Sequence, residues 1–297
     1  MRHDAIVVGG SFAGLSAATY IARARRSVCI IDSGRPRNRF AGHSHGFLTR
    51  DGSEPLAMLA TAHSQVAAYP TTTFVEGEAV RATADEDGFT VSLANGEVLE
   101  SARLVLAYGI SDDLPAIPGL AERWGKSVIP CPYCHGFEFS GRRLGVLHIS
   151  PASIHHAMLI PEWGPTTYFL NGAPLPHDEP LAELRRRGVD LEPAPVKALH
   201  GAGTELSCVE LEDGRTVPLD ALLVVAPTQS NSDIAEQLGC ELEEGPFGQI
   251  VKTDGMQMTT VPNVFAAGDI TRFAHNITRA SAGGVMAGTA VHASLVF

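Results

Sequence analysis

The sequence has no long apolar run, few basic residues and few cysteines, and each shortage closes off a class of function. No stretch approaches the about 18 consecutive apolar residues of a membrane span. The first apolar segment, Ala5-Ile6-Val7-Val8, is cut by Gly9 and Gly10 and followed by Arg23, Arg25 and Arg26. It reads as a first strand rather than an export signal, so the expected compartment is the cytoplasm. Lys and Arg number 22 against 33 Asp and Glu, a net charge of -11. Such a balance repels phosphate backbones and anionic surfaces, which argues against nucleic acid or a membrane as partner. Hydrophobic residues make up 44% of 297 residues, an ordinary globular proportion in a chain long enough for two domains.

Only five cysteines are present, and Cys29, Cys208 and Cys240 stand alone and far apart. The other two form Cys131-Pro132-Tyr133-Cys134-His135-Gly136. Two thiols two residues apart can close a small ring and so hold or release two electrons. Near a helix start, with a histidine following, such a pair is placed for a lowered thiol pKa. Three other readings stand beside this one. The pair is half a zinc site, but no second pair completes it, and no metal ligand set is expected. Cys-x-x-Cys-His is also the attachment pattern of c-type haem, which belongs to exported chains. The pair can also be structural and buried, although in the cytoplasm Cys-x-x-Cys is more often catalytic.

Taken in order, the chain opens with strand Ala5 to Val8, then Gly9-Gly10-Ser11-Phe12-Ala13-Gly14, then an Ala- and Leu-rich helix to about Arg26. This is the strand, glycine turn and helix of a dinucleotide site. Gly9 permits the tight turn, Gly14 lets helix and strand approach, and the helix start offers N–H groups to a pyrophosphate. The middle glycine of G-x-G-x-x-G is replaced by Ser11. A second strand, Val28 to Ile31, ends in Asp32, where an acid suits a ribose hydroxyl pair. Arg35 to Arg39 and His43 to Gly46 read as loops, and Pro55 to Ala68 as a helix. Segments around Asp87-Gly88 and Asn95-Gly96 read as hairpins, and Leu104 to Ala107 as a buried strand. Asp112 to Gly119, with Pro115 and Pro118, breaks all periodicity and marks a domain boundary.

The section that follows repeats the grammar: strand Leu144 to Leu147, helix Pro151 to Glu162, strand Thr167 to Leu170. Its turn, His148-Ile149-Ser150-Pro151-Ala152-Ser153, has no glycine at the pyrophosphate positions, and Ser150 with Pro151 reads as N-cap and first helical residue. The strand ends at Asn171-Gly172 with no acid for a ribose, and Arg185-Arg186-Arg187 before Gly188 fits ordinary helix-end chemistry. Asp213-Gly214 is a hairpin turn and Leu222 to Ala226 a buried strand. Val264 to Ala267 leads into Gly268-Asp269, and a helix runs from about Asn276 to the end. The expected fold is α/β, two Rossmann-like nucleotide-binding-type domains with the second inserted into the first. The boundaries are 1–112 with 242–297 for one and 113–241 for the other.

Gly9 to Gly14, Asp32, Cys131 to Cys134 and Gly268-Asp269 occur in an order and spacing that resemble the low-molecular-weight thioredoxin reductases, over nearly the whole chain. That resemblance implies a homodimeric FAD enzyme with a redox-active disulfide. It implies that Cys134 lies next to the flavin, that Cys131 exchanges with substrate, and that His135 stands where an acid/base aspartate is usual. It also implies a cofactor set of Gly9, Gly10, Ser11, Phe12, Ala13, Gly14, Asp32, Ser33, Arg37, Asn38, His45, Val80, Gly109, Gly268, Asp269, Asn276 and Ile277. The Cys-x-x-Cys-His-Gly form is similar to thiol oxidases that close disulfides in natural products. Unlike the reductases, this sequence lacks the second G-x-G-x-x-A turn and the His-Arg-Arg cluster that hold NADPH. The expected activity is therefore oxidation of a dithiol with dioxygen as acceptor. The alternatives are a disulfide reductase fed by an atypical NAD(P)H site or by a ferredoxin-like protein, and a flavin-bearing redox sensor. The expected partner is a small-molecule dithiol or a thioredoxin-like or ferredoxin-like protein.

Overall fold

A computed structural model describes residues 2–297 as two compact units, one built from residues 2–39, 55–111 and 228–297, the other from residues 40–54 and 112–227. In the first unit, strands Thr72–Glu76, Val28–Asp32, Arg2–Val8 and Val98–Leu106 run parallel and in that order. Strand Val98–Leu106 shares its outer edge between two neighbours. Its first half pairs antiparallel with Phe89–Leu93, and its last three residues pair parallel with Val264–Ala266. The sequence suggested a separate strand from Leu104 to Ala107; the strand is instead unbroken from Val98, and Ser101, polar in mid-run, is buried and donates its hydroxyl to the Arg103 carbonyl.

Strands buried on both faces need apolar cover on both sides. One face of this sheet meets helices Phe12–Arg23 and Ile277–Ser294 through Val7, Ile21, Val105 and Val291. Gly284 and Gly288 allow the two helices to touch, since a Cβ on either would run into the backbone of Ala13 or Ala17. The other face is covered by Ile31, Val91, Leu104 and Ile234, the last on helix Ile234–Gln237. That helix lies in the 228–241 stretch, which the sequence suggested was inserted. Its apolar residues belong to the first unit's core, so the chain returns at Thr228 rather than at 242.

The second unit repeats the plan. A parallel sheet runs Asp190–Glu192, Thr166–Phe169, Leu144–Leu147, Ala221–Leu223, Val128–Ile129. A three-stranded antiparallel meander, Val196–His200, Cys208–Leu211 and Thr216–Pro218, turns at Asp213-Gly214 as its sequence suggests. Buried Arg123 donates to the carbonyls of Gly119, Gly201 and Glu205 at 2.8, 2.8 and 3.0 Å, tying the approach to the dithiol onto the loop after the meander's first strand. Residues 40–54 also belong here, held as a loop by the Ser44–Ser53 bridge and by Asp51 Oδ1 accepting from the Gly46 amide at 2.7 Å.

Candidate functional site

Ala5 to Val8 are buried to the end of the first strand, and the chain must then turn at once into a helix. Gly9 makes the turn at φ +116 with its amide donating to the Ile31 carbonyl at 2.8 Å. A Cβ on Gly14 would collide with the carbonyl of Gly9, so only glycine allows the helix this close to the strand. Ser11 caps helix Phe12–Arg23 without a side-chain hydrogen bond to its first turn, which leaves that turn's N–H groups for an anion. The Asp32 carboxylate lies against Gly10, and its Oδ1 accepts from the Gly34 amide at 3.0 Å. Ser33 beside it is exposed.

Two further segments close on this turn. Gly268, at φ +89, packs against Ala13, and Asp269 pairs through Oδ2 with Arg37 Nη1 at 3.1 Å. Next to Arg37, the Nδ2 of Asn38 is buried with no hydrogen-bond partner. A buried orphan donor needs an acceptor. Together with the glycine cradle and uncapped helix start, it fits a bound dinucleotide. Asn276 has a structural task, accepting at Oδ1 from the Arg279 amide at 2.8 Å to cap the Ile277–Ser294 helix. Gly109 sits at φ +70, and the carbonyl of half-exposed Val80 accepts from Gln237 Nε2 at 3.1 Å. Sequence reasoning missed Arg272, whose Nε is also buried without a partner; no motif marks it.

The dithiol is in the second unit. Cys131 is extended, Pro132 starts the single helical turn Pro132–His135, and the His135 amide donates to the Cys131 carbonyl at 3.2 Å. Proline at the first helical position costs no hydrogen bond and presets φ, so the turn holds the two sulfurs 2.6 Å apart. Both cysteines are partly exposed, whereas Cys29 and Cys240 are buried. Burial pushes the Cys29 thiol up to about 11 and that of Cys240 upward as well, which suits inert side chains. For His135, burial pushes the imidazole pKa down, the carboxylate of Glu138 opposes this, and His45 adds to it. His45, expected among the cofactor contacts, stands in this unit, 3.3 Å from Glu138 and 3.6 Å from Asp51.

The second strand–turn–helix has the shape of a nucleotide site with its donors already used. Buried Ser153 accepts at Oγ from the amides of Ile149 and Ser150 at 3.1 and 3.3 Å. The helix accordingly starts at Ser153, not at the Ser150-Pro151 pair that the sequence suggested, because Ser153 satisfies the turn from within. At the ribose position, Asn171 Oδ1 accepts from the Val196 amide at 2.9 Å. Arg186 and Arg187 both engage Glu183, whose carboxyl they pull down to about 2. The Tyr168 hydroxyl, its own pKa raised to about 12 by burial, is hydrogen-bonded to His148 Nδ1 at 2.6 Å.

The family model for pyridine nucleotide-disulphide oxidoreductases matches residues 3–148 and 177–287. The chain is 33% identical to thioredoxin reductase tcpT of Claviceps purpurea, over 96% of this chain and 92% of that one. It is 31% identical to thioredoxin reductase sirT of Leptosphaeria maculans, over 97% and 93%. The crystal structure of an oxidoreductase from Agrobacterium tumefaciens superposes with a TM-score of 0.95 at 43% identity, covering 100% of this chain and 99% of that one.

Proposed function

The chain belongs to the pyridine nucleotide-disulphide oxidoreductase family, an FAD-binding oxidoreductase acting on disulfides, and from that premise we propose that it works as a thiol oxidase. The overall reaction joins a dithiol and dioxygen to give a disulfide and hydrogen peroxide. One observation carries the direction: the donors of the Ile149-Ser150 turn are occupied by Ser153, so NADPH has no ready place to deliver electrons. The dithiol then becomes the electron source.

FAD, when bound, supplies the two-electron acceptor for the pair released as the disulfide forms. Gly9 to Gly14 and the helix start at Phe12 hold its pyrophosphate, Asp32 takes the ribose, Asn38 donates an amide N–H, and Arg37 and Asp269 brace each other. The substrate thiolate opens the Cys131–Cys134 disulfide at Cys131, freeing Cys134 as the leaving thiolate, and the substrate's second thiol then displaces Cys131 as the product disulfide closes. His135 takes the thiol proton, a role for which a neutral imidazole near physiological pH is suited. A homodimer is part of the same reading and is checked by analytical ultracentrifugation.

A second reading has support in the names of the relatives: as thioredoxin reductases, they run disulfide reduction. Turnover separates the two. With dithiothreitol in air, the holoenzyme should consume dioxygen and release one peroxide per disulfide, and NADPH should not replace the dithiol. If NADPH reduces the flavin rapidly and thioredoxin disulfide is reduced in turn, the oxidase reading fails and the reductase stands.

A further inference from the structure

Beside the dithiol are two side chains that the reaction, as read above, does not use. Glu138 follows His135 by three residues, across the turns Pro132–His135 and Phe137–Phe139. Its carboxylate favours the charged form of the His135 imidazole against burial, and this effect outweighs the opposing one of His45. A glutamate on a surface turn, its side chain 39% exposed, would ordinarily sample many rotamers. Here His45 Nε2 lies 3.3 Å from its Oε1. The His45 ring is edge-on to that of His135 with centroids 6.5 Å apart, and the His43 ring is 6.3 Å from His45. Asp51 Oδ1, 3.6 Å from His45 Nδ1, is 72% exposed and largely screened by water.

We propose that Glu138 is a positioning residue supplying the counter-charge to His135 while it carries the thiol proton, and that His45 holds Glu138 in place for that task. This rests on the reading of Cys131, Cys134 and His135 as the working dithiol and its base. The step is a proton transfer with no change in electron count. The S–H bond breaks, the proton passes to an imidazole nitrogen of His135, and a thiolate and imidazolium replace two neutral groups. An imidazolium in a poorly hydrated position is costly unless a carboxylate faces it. Charged or titratable groups near His135 include Glu138, His45 and the two thiols, and those near His45 include Glu138, Asp51, His43 and His135.

The test uses the holoenzyme labelled with carbon-13 histidine, titrated by NMR as wild type, Glu138→Gln, His45→Leu and the double variant. Glu138→Gln keeps the shape and removes the charge, and should lower the His135 midpoint by about half a pH unit or more. His45→Leu should shift it the same way by less. The double variant should not fall below Glu138→Gln alone, since without the carboxylate only the direct effect of His45 on His135 remains, and its loss raises the midpoint. His45→Gln, whose amide can still donate to Glu138, should restore the wild-type midpoint. All variants should keep full flavin absorbance. An unmoved midpoint in Glu138→Gln, fully additive shifts in the double variant, or FAD lost from His45→Leu would each overturn the assignment. The midpoint needs no turnover. Bleaching of the wild-type flavin by dithiothreitol therefore tests the dithiol chemistry separately, and its failure is told apart from failure of this proposal.

Discussion

NADPH should bind this protein too weakly to serve as its electron donor, and the turn at His148 to Ser153 sets the size of the effect. A pyrophosphate on a strand–turn–helix site is held by free backbone N–H groups. Ile149 and Ser150 have such groups, but both point to Ser153 Oγ, at 3.1 and 3.3 Å, and Pro151 has none. Each charge-assisted hydrogen bond left unmade costs about 1.5 to 3 kcal/mol, so two cost about 3 to 6 kcal/mol. That is about 10² to 10⁴ in affinity, enough to move a micromolar site to between about 0.1 and 10 mM. The 2'-phosphate gains nothing in return, because Arg186 and Arg187 are held by Glu183. Calorimetry of the oxidised holoenzyme with NADP+ should therefore show no saturation in the micromolar range. Ser153→Gly frees both amides and should tighten binding by about tenfold or more, short of the full factor because Pro151 and the Asn171–Val196 bond remain. A wild-type dissociation constant in the low micromolar range, or a Ser153→Gly variant with no gain at all, would refute the reasoning.

Gly14→Leu should purify colourless, because its Cβ would collide with the Gly9 carbonyl and push the helix start off the strand; full flavin absorbance in a folded variant would count against this placement of the pyrophosphate. Cys134→Ser, given glutathione disulfide, should accumulate a mixed disulfide between Cys131 and one glutathione as the other glutathione leaves, seen by intact mass spectrometry, and Cys131→Ser should not; equal trapping by both would exchange or dissolve their roles. Arg123→Ala removes a buried guanidinium that donates to three carbonyls and should cost about 1 to 3 kcal/mol, read as a fall in Tm; no measurable loss would mean water replaces the guanidinium. Burial lowers the folded pKa of His135, His148 and His156, all in the second unit, below the ordinary 6.5. Their contribution to stability is therefore complete above that value and lost as pH falls through the folded pKa. Tm should decline below about pH 6.5, and His156→Gln should flatten the slope; a Tm that rises on acidification over that range has the wrong sign.

What the sequence made legible is what steric exclusion writes into it. Gly9 and Gly14 cannot be other residues if helix and strand are to approach, and Asp32 must end a buried strand to face Gly10. Cys131-Pro132 announces its turn because proline is tolerated at so few helical positions. Interactions made by a polar side chain with backbone a few residues away leave no such mark. Ser153 looks like an ordinary helix residue, while the Ser150-Pro151 pair before it looks like the better start; only the geometry shows which serine receives the amides. The 40–54 segment is harder still, since it has no periodicity and its place in the second unit rests on contacts with distant residues, such as that of His45 with Glu138. Yet this segment carries His45 to Glu138, and Glu138 stands at a helical spacing from His135. The i, i+3 spacing could have been read from the chain; its holder could not, because His45 reaches it across 93 residues through a loop with no pattern of its own. Sequence therefore discloses the groups that do the chemistry more readily than those that set their charge, and the second kind has to be sought in the contacts of the first.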